Sequence, residues 1–260
     1  MGSFALVRAI AHANRQTEPG HKAAGAGGVL AALARDGMPA LLDAEAHPPV
    51  RSVDSPVGDV AEVAAPAGEI SRRREIALDV IWRSRQDGLP FSFLAFDGEY
   101  GHLPWLPGEL DSAGETFLAE IHRDLAVYLD DPTPVLANGR SSQVRASLRL
   151  RTRAAPTSAT AWMSVQPTSQ WRRLAISDGR KNKVRADYLA QRVWVWDGKS
   201  PLVSRWHLLV CRQVDGEWLR FCLSNAEPDA SVCHLAKILE RAFLSRDSST
   251  TPRARSAWHW

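Results

Sequence analysis

The chain has 260 residues, 45% hydrophobic and 23% charged, a composition typical of one or two globular domains with enough apolar material for a core. Its formal net charge of +3 is compatible with nucleic-acid binding but is too small for a dedicated basic binder. No stretch approaches the ~18 apolar residues of a membrane span, and the N-terminus has no secretory signal pattern, so we expect a cytoplasmic protein.

The three cysteines, Cys211, Cys222 and Cys233, are spaced by eleven residues each time. This spacing matches no zinc or redox pattern. Each cysteine lies in an apolar stretch, which predicts buried thiols in a reducing compartment.

The N-terminal third begins with a poorly patterned segment. Residues 1–28 are rich in Ala, Gly and His, so we expect poor order there. Two apolar runs separated by Arg35-Asp36-Gly37 predict a β-hairpin over residues 29–42, with a helix as the alternative for its first arm. Residues 44–70 are rich in proline and small residues and predict a long loop.

The middle of the chain alternates between helical and strand patterns. Apolar residues at helical spacing predict a helix over residues 71–86, which Gly88 ends, followed by a buried strand over residues 91–96. A second helix is predicted for Glu115–Asp124 and a strand for Leu125–Leu129. This α-β-α-β order predicts a parallel-sheet unit over residues 71–132.

The remaining chain is dominated by strand patterns. Apolar runs at residues 192–196, 206–211 and 218–223, with Asp-Gly turn dipeptides between them, predict antiparallel strands. Ser231 is placed to cap a helix over residues 232–244 that carries Glu240 near its end. The last stretch has no periodicity, so we expect it to be disordered.

Asp97 follows the apolar strand at residues 91–96, at the strand's C-terminal end, where open α/β sheets place their chemistry. A carboxylate there can bind a metal ion, act as a base, or cap the next turn. Position alone leaves these roles open. Glu240 likewise has a simpler interpretation, a solvated glutamate paired with Lys237 or Arg241.

The order of several motifs resembles the DDE transposases of bacterial insertion sequences. In chain order, the matching pieces are Ala95-Phe-Asp-Gly-Glu-Tyr-Gly101, Gln191-Arg-Val-Trp-Val-Trp-Asp197, Arg205-Trp-His-Leu-Leu-Val210, Leu223-Ser-Asn-Ala226 and Leu239-Glu-Arg-Ala-Phe243. Each motif is weak alone, and their order and spacing carry the resemblance over about residues 28–243.

The resemblance implies an α/β fold with a ribonuclease H-like mixed sheet flanked by helices and a β-rich antiparallel insertion. It places the first part of the core at residues 29–132, the insertion at residues 133–230 and a remnant of the catalytic helix at residues 231–244, with a disordered tail at 245–260. Asp97 matches the second catalytic Asp and Glu240 the catalytic Glu. Together they would hold Mg²⁺ or Mn²⁺ for cleavage and strand transfer of transposon-end DNA.

The chain departs from the family pattern at the first catalytic Asp, which lies on the first strand. There is no Asp before Asp36, and the only acid in that part is Glu18. Asp43 is a substitute by spacing, but the resemblance puts it on the third strand, where we do not expect a ligand. The family's lysine beyond the catalytic Glu is also missing, as a frameshift or truncation would leave it, so we expect no strand transfer.

Basic residues in the insertion predict a DNA-binding surface, with a solvated face as the alternative. These residues are Arg172, Arg173, Arg180, Lys181, Lys183 and Arg185. The tryptophans at 194, 196, 206 and 218 could stack on bases, but the alternation in Trp194-Val195-Trp196 puts both indoles on one face, which favours core packing. The sequence thus predicts a transposase by descent. One alternative is a non-catalytic remnant that at most binds DNA through the basic insertion or associates with a full-length relative. Another is an unrelated α/β hydrolytic enzyme that uses Asp97.

Overall fold

A computed structural model describes residues 4–11, 27–35, 38–47, 67–96, 98, 105–136, 150–177, 183–214 and 218–243. The chain divides into two units, Met1–Tyr100 and Gly101–Trp260. The first unit contains β1 (Phe4–Ala11), β2 (Gly27–Arg35), β3 (Met38–His47), α1 (Ala67–Gln86) and β4 (Phe93–Phe96). The second contains α2 (Trp105–Ser112), β5 (Phe117–Ile121), β6 (Ala126–Tyr128), β7 (Val135–Leu136), β8 (Leu150–Arg151), β9 (Pro156–Ser158), α3 (Ala159–Ser164), β10 (Arg172–Ser177), β11 (Lys183–Val195), β12 (Ser204–Gln213), β13 (Leu219–Ser224) and α4 (Val232–Phe243).

The strands of the first unit form a mixed sheet in the order β3-β2-β1-β4. β1 pairs antiparallel with β2 and β2 with β3, with a register shift between Ala31 and Ala32, whereas β1 and β4 are parallel. The parallel connection requires a crossover, and α1 lies in it and packs against β2 and β3. All four residues of β4 are buried, as expected of a strand covered on both faces.

Helix α1 buries the apolar stripe that the sequence predicted, with Ile76, Ala77, Val80 and Ile81 all below 9% exposure. The helix ends where Gly88 adopts a φ of +71°, a left-handed conformation that favours glycine. Leu89 N donates to Ser84 O at 3.1 Å across this end, which satisfies one of the last carbonyls of the helix.

The second unit is built on an antiparallel sheet in the order β5-β13-β12-β11-β6-β9, and β10 also pairs with β11. α4 packs against β10 and β11. Its buried residues are Leu235, Ala236, Ile238, Leu239 and Ala242.

Hydrogen bonds connect α2 to this sheet. The Asp111 carboxylate accepts from Trp206 Nε1 at 2.9 Å and from Asn225 Nδ2 at 2.7 Å. Asn225 Oδ1 in turn accepts from Phe117 N at 2.8 Å, and the Phe117 ring meets Trp206 edge-on with 5.1 Å between ring centroids. One carboxylate therefore links α2, β5, β12 and the end of β13.

These elements confirm the expected mixed α/β fold, in which a mostly antiparallel mixed sheet is flanked by helices. The hairpin β2-β3, helix α1, the strand before Asp97, the three long strands of the insertion and helix α4 are also confirmed. Arg35 pairs with Met38 at the end of the hairpin, while the turn residues Asp36 and Gly37 lie outside the described residues.

Three expectations need correction. The predicted helix at Glu115–Asp124 is wrong, because residues 117–121 form strand β5, and the helix of this region is α2 at Trp105–Ser112. The parallel unit expected over residues 71–132 does not include β6, because β6 pairs antiparallel with β11, whereas β4 pairs in parallel with β1. Residues 4–11, within the segment expected to be poorly ordered, form β1, which is ordered by pairing with β2 and β4 on its two sides.

The expectations for the rest of residues 1–28, for most of the loop and for the disordered tail concern residues outside the described ranges. The expected loop at residues 44–70 is shorter than predicted, because β3 extends to His47 and α1 begins at Ala67. Within the part of the chain that the structure describes, no helix is long and apolar enough to span a membrane.

Candidate metal centre and nucleic-acid interface

The strand that precedes Asp97 is buried at all four of its positions. Phe96, its last residue, is completely inaccessible to solvent. Asp97 itself lies outside the described residues, so its predicted approach to Glu240 stays a prediction. The two residues also belong to different units of the chain.

The register between β1 and β4 identifies the residue at the first-strand position. Phe4 to Val7 pair in parallel with Phe93 to Phe96, and the pair Val7 and Phe96 is the last one. The next residue on β1 is Arg8, just as Asp97 is the residue that follows Phe96 in the chain. Strand β1 contains one cation and no acid. The sequence pattern predicts no strand over residues 4–11, so it does not identify Arg8 as a site position.

The two substitutes considered for the first Asp are placed differently. Asp43 lies on β3 and pairs with Ala31 of β2. In the order β3-β2-β1-β4, β3 is three strand spacings of ~4.8 Å from β4, roughly 14 Å, which disfavours Asp43 as a partner of a carboxylate at the end of β4. Glu18 lies outside the described residues.

Glu240 lies at the edge of the buried face of α4. Its side chain is half-buried, and Ala236, one turn earlier on the same face, is 2% exposed. Lys237 and Arg241 are exposed. Burial raises the pKa of Tyr188 far above its ordinary value, and Cys211 and then Glu240 add to this rise. Glu240 thus adds a negative charge to the surroundings of the fully buried phenol of Tyr188 on β11.

A metal site is not formed by the described residues. Within those ranges, no group of three or more His, Cys, Asp or Glu side chains comes together. A cation such as Mg²⁺ needs several oxygen ligands in near-octahedral geometry, and β1 supplies none. The residues present on the first strand therefore do not fit the divalent metal that the resemblance implied.

The predicted DNA-binding residues lie around the antiparallel pair of β10 and β11, and the sheet separates them by face. Arg173 pairs with Asp187, and Arg185 and Lys183 stand two and four residues before Asp187, so these four positions share one face. Arg172 pairs with Tyr188 and lies on the other face, the side on which α4 packs. Arg172, Arg173 and Arg185 are exposed. Arg180 and Lys181 lie outside the described residues.

Asp187 changes the electrostatics of this surface. Its carboxylate accepts from Arg173 Nε at 2.8 Å and from Arg212 Nη2 at 3.4 Å. The hydrogen bond from Arg173 is the largest cause that lowers the pKa of Asp187, and Asp187 correspondingly raises the pKa of Arg173. Residue spacing does not predict the contact between Asp187 and Arg212, because it depends on the pairing of β11 with β12.

The tryptophans of this unit are divided between core and surface. Trp206 is 2% exposed and belongs to the core. Trp194 and Trp196 are half-buried, and Trp171 lies 4.0 Å from the Arg212 guanidinium carbon, measured to its ring centroid. His207, for which no ligand role was expected, is buried and its Nε2 lies 2.9 Å from Glu227 O.

A comparison with protein families decides between the broad interpretations of this fold. A family model described as DDE superfamily endonuclease matches residues 5–183, more than half of the chain. The chain belongs to the DDE superfamily endonuclease family. The match confirms the resemblance to DDE transposases and excludes the unrelated hydrolytic enzyme. It begins within β1 and ends at the start of β11, so Glu240 lies beyond it. No curated protein matches the chain.

The DDE endonuclease family generally acts on DNA with divalent metal ions. This chain has a mixed sheet and the buried strand before Asp97, but the sequence of its first strand contains Arg8 and no acid. Fold and family are therefore retained, while the acids that hold the metal are not complete on the strands that the structure describes.

Proposed function

We propose that this chain is a transposase by descent that binds DNA and does not cut it. Family membership supports the descent, and the exposed arginines of β10 and β11 support DNA binding. The observation that carries the loss of cleavage is the composition of β1, the strand parallel to β4, which has Arg8 beyond the partner of Phe96 and no acid along its length.

Charge explains why cleavage is lost. Three carboxylates can balance much of the charge of two divalent cations, whereas Asp97 and Glu240 alone supply two ligands to cations that require several oxygens. A guanidinium has no acceptor atom and its charge repels a metal ion. Loss of one ligand removes several kcal/mol of transition-state stabilisation, and each ~1.4 kcal/mol is a factor of ten in rate.

DNA binding requires exposed cations that reach phosphates without a burial cost. Arg173, Arg185 and Arg212 meet this condition on one face of the sheet. Lys183 shares that face by register, and Arg180 and Lys181 extend the cluster along the chain. Counterion release would then supply most of the affinity, with little dependence on DNA sequence.

The test measures binding and cleavage on the same DNA. Fluorescence anisotropy with duplexes of two unrelated sequences is expected to show similar affinities that fall steeply from 50 to 200 mM salt. Incubation of supercoiled plasmid with Mg²⁺ or Mn²⁺ is expected to produce no nicking. Metal-dependent nicking by the wild type that disappears in Asp97→Ala would overturn the loss of cleavage and point to Asp43 or Glu18 as the third ligand. Affinity that does not change with salt, or no binding at all, would overturn the DNA-binding function.

A further inference from the structure

Four side chains on one face of the sheet form a connected cluster. Arg173, Asp187 and Arg212 stand in one row across β10, β11 and β12, because Arg173 pairs with Asp187 and Asp187 pairs with Arg212. Trp171 lies two residues before Arg173 with an extended backbone, and its ring lies under the Arg212 guanidinium. We refer to these four residues as the Asp187 cluster.

The carboxylate holds both guanidinium groups in place. Arg173 donates to it through Nε at 2.8 Å and Nη2 at 3.3 Å. Arg212 donates through Nε and Nη2, both at 3.4 Å, and its position is also fixed by the Trp171 ring. Both arginines thus use the same two nitrogens for Asp187. Their Nη1 groups remain as donors for an acceptor outside the described contacts.

Exposure shows which members of the cluster can meet a ligand. The side chain of Asp187 is 9% exposed, whereas those of Arg173 and Arg212 are 61% and 42% exposed. The Asp187 carboxylate therefore lies below the surface, and the two guanidinium groups lie at the surface. With exposed Arg185 on the same face, three arginines accompany one carboxylate, so the surface keeps a net positive charge.

We propose that the Asp187 cluster is a clamp for a phosphate group of the DNA backbone, with Asp187 as the positioning residue that aims Arg173 and Arg212 outward. An arginine pair with fixed planes suits the tetrahedral oxygens of a phosphate better than flexible cations do. This proposal rests on the proposed DNA binding and adds a defined contact to it. The general alternative is a diffuse field in which every surface cation counts equally.

A matched pair of substitutions separates the clamp from the diffuse field. Arg173→Ala and Arg172→Ala each remove one positive charge from adjacent positions of β10, but only Arg173 points to the side of Asp187. Arg173→Ala is expected to weaken duplex binding about tenfold and to reduce the slope of log K against log salt by ~0.9, the value of one phosphate contact. Arg172→Ala is expected to weaken binding only about twofold, with the salt slope nearly unchanged.

For Asp187→Asn, the clamp and the diffuse field predict opposite changes in DNA affinity. Removal of a negative charge must strengthen binding if only the charge of the surface matters. Loss of the aimed arginines must weaken it, by about threefold to tenfold, if the clamp exists. Circular dichroism and a urea unfolding curve check that each variant folds. If Asp187→Asn does not fold, the comparison of Arg172→Ala with Arg173→Ala still separates the clamp from the diffuse field.

The results that would overturn the clamp differ from those that would overturn the proposed DNA binding. Absence of binding by the wild-type chain would overturn the proposed DNA binding. Equal losses for Arg172→Ala and Arg173→Ala, or tighter binding by folded Asp187→Asn, would overturn the clamp while DNA binding itself stands.

Discussion

Replacement of Asp111 by alanine tests how the second unit is held together. The Asp111 carboxylate accepts from Trp206 Nε1 at 2.9 Å and Asn225 Nδ2 at 2.7 Å, and Trp206 is only 2% exposed. In Asp111→Ala the indole N–H loses its acceptor, and Asn225 Nδ2 keeps only its bond to Glu115 O. Two hydrogen bonds to a charged acceptor contribute about 1.5–3 kcal/mol each, so we expect a loss of about 3–6 kcal/mol in the free energy of unfolding.

Urea unfolding followed by tryptophan fluorescence measures this loss, because nine of the ten tryptophans lie in the second unit. Glu109→Ala is the matched control, since Glu109 is an exposed acid on the same helix and its removal is expected to change stability by no more than ~0.5 kcal/mol. A double-mutant cycle with Asn225→Ala should show coupling above about 0.5 kcal/mol. An Asp111→Ala variant as stable as the Glu109→Ala control would refute the reasoning.

Three further predictions concern thiols, pH and backbone strain. Burial raises the pKa of Cys211 to about 12 and that of Cys222 well above its usual range, so native protein should expose one fast-reacting thiol, Cys233, to Ellman's reagent, and all three only after denaturation. Burial lowers the pKa of His207, so the folded protein favours the neutral imidazole. The stability that this contributes is present above the unfolded-state pKa of ~6.5 and declines as the pH falls below that value. In His207→Gln the urea midpoint should therefore fall less between pH 8 and pH 5 than in the wild type. Gly88→Ala should cost about 1–2 kcal/mol of unfolding free energy, because its φ is +71° and an added Cβ meets no atom within 4 Å, whereas Ala at Gly108, a helical glycine with equal space, should not destabilise; equal effects would contradict this.

Sequence patterns predicted the elements whose signals are local. Helix α1 has an apolar stripe at 3.6-residue spacing and a glycine at its end, and the long strands of the insertion are apolar runs separated by turn dipeptides. The helix predicted at Glu115–Asp124 failed for a physical reason. Phe117, Leu118 and Ile121 fit one helical face, but β5 is buried almost throughout, and a short strand covered on both faces gives an apolar run without alternation.

Features that depend on pairing between distant strands could not be predicted from spacing. β1 has a weak pattern of its own and is recognisable through its pairs with β2 and β4. The position of Arg8 next to the partner of Phe96 follows only from that register. The same holds for Asp187 and Arg212, which are 25 residues apart and meet across two strands. The cysteines illustrate the limit of composition, since Cys233 lies in an apolar stretch but is exposed on α4.

The central claim is that Arg8 occupies the place of a metal-binding acid, and the most direct test is Mn²⁺ binding measured by titration calorimetry on the wild type and on Arg8→Asp. We expect no measurable binding by the wild type and a gain of binding in Arg8→Asp that is lost again when Asp97→Ala is added. Arg8→Ala serves as the control for removal of the cation alone and is expected to bind weakly or not at all. Wild-type binding of Mn²⁺ that requires Asp97, unchanged in Arg8→Asp, would contradict the claim.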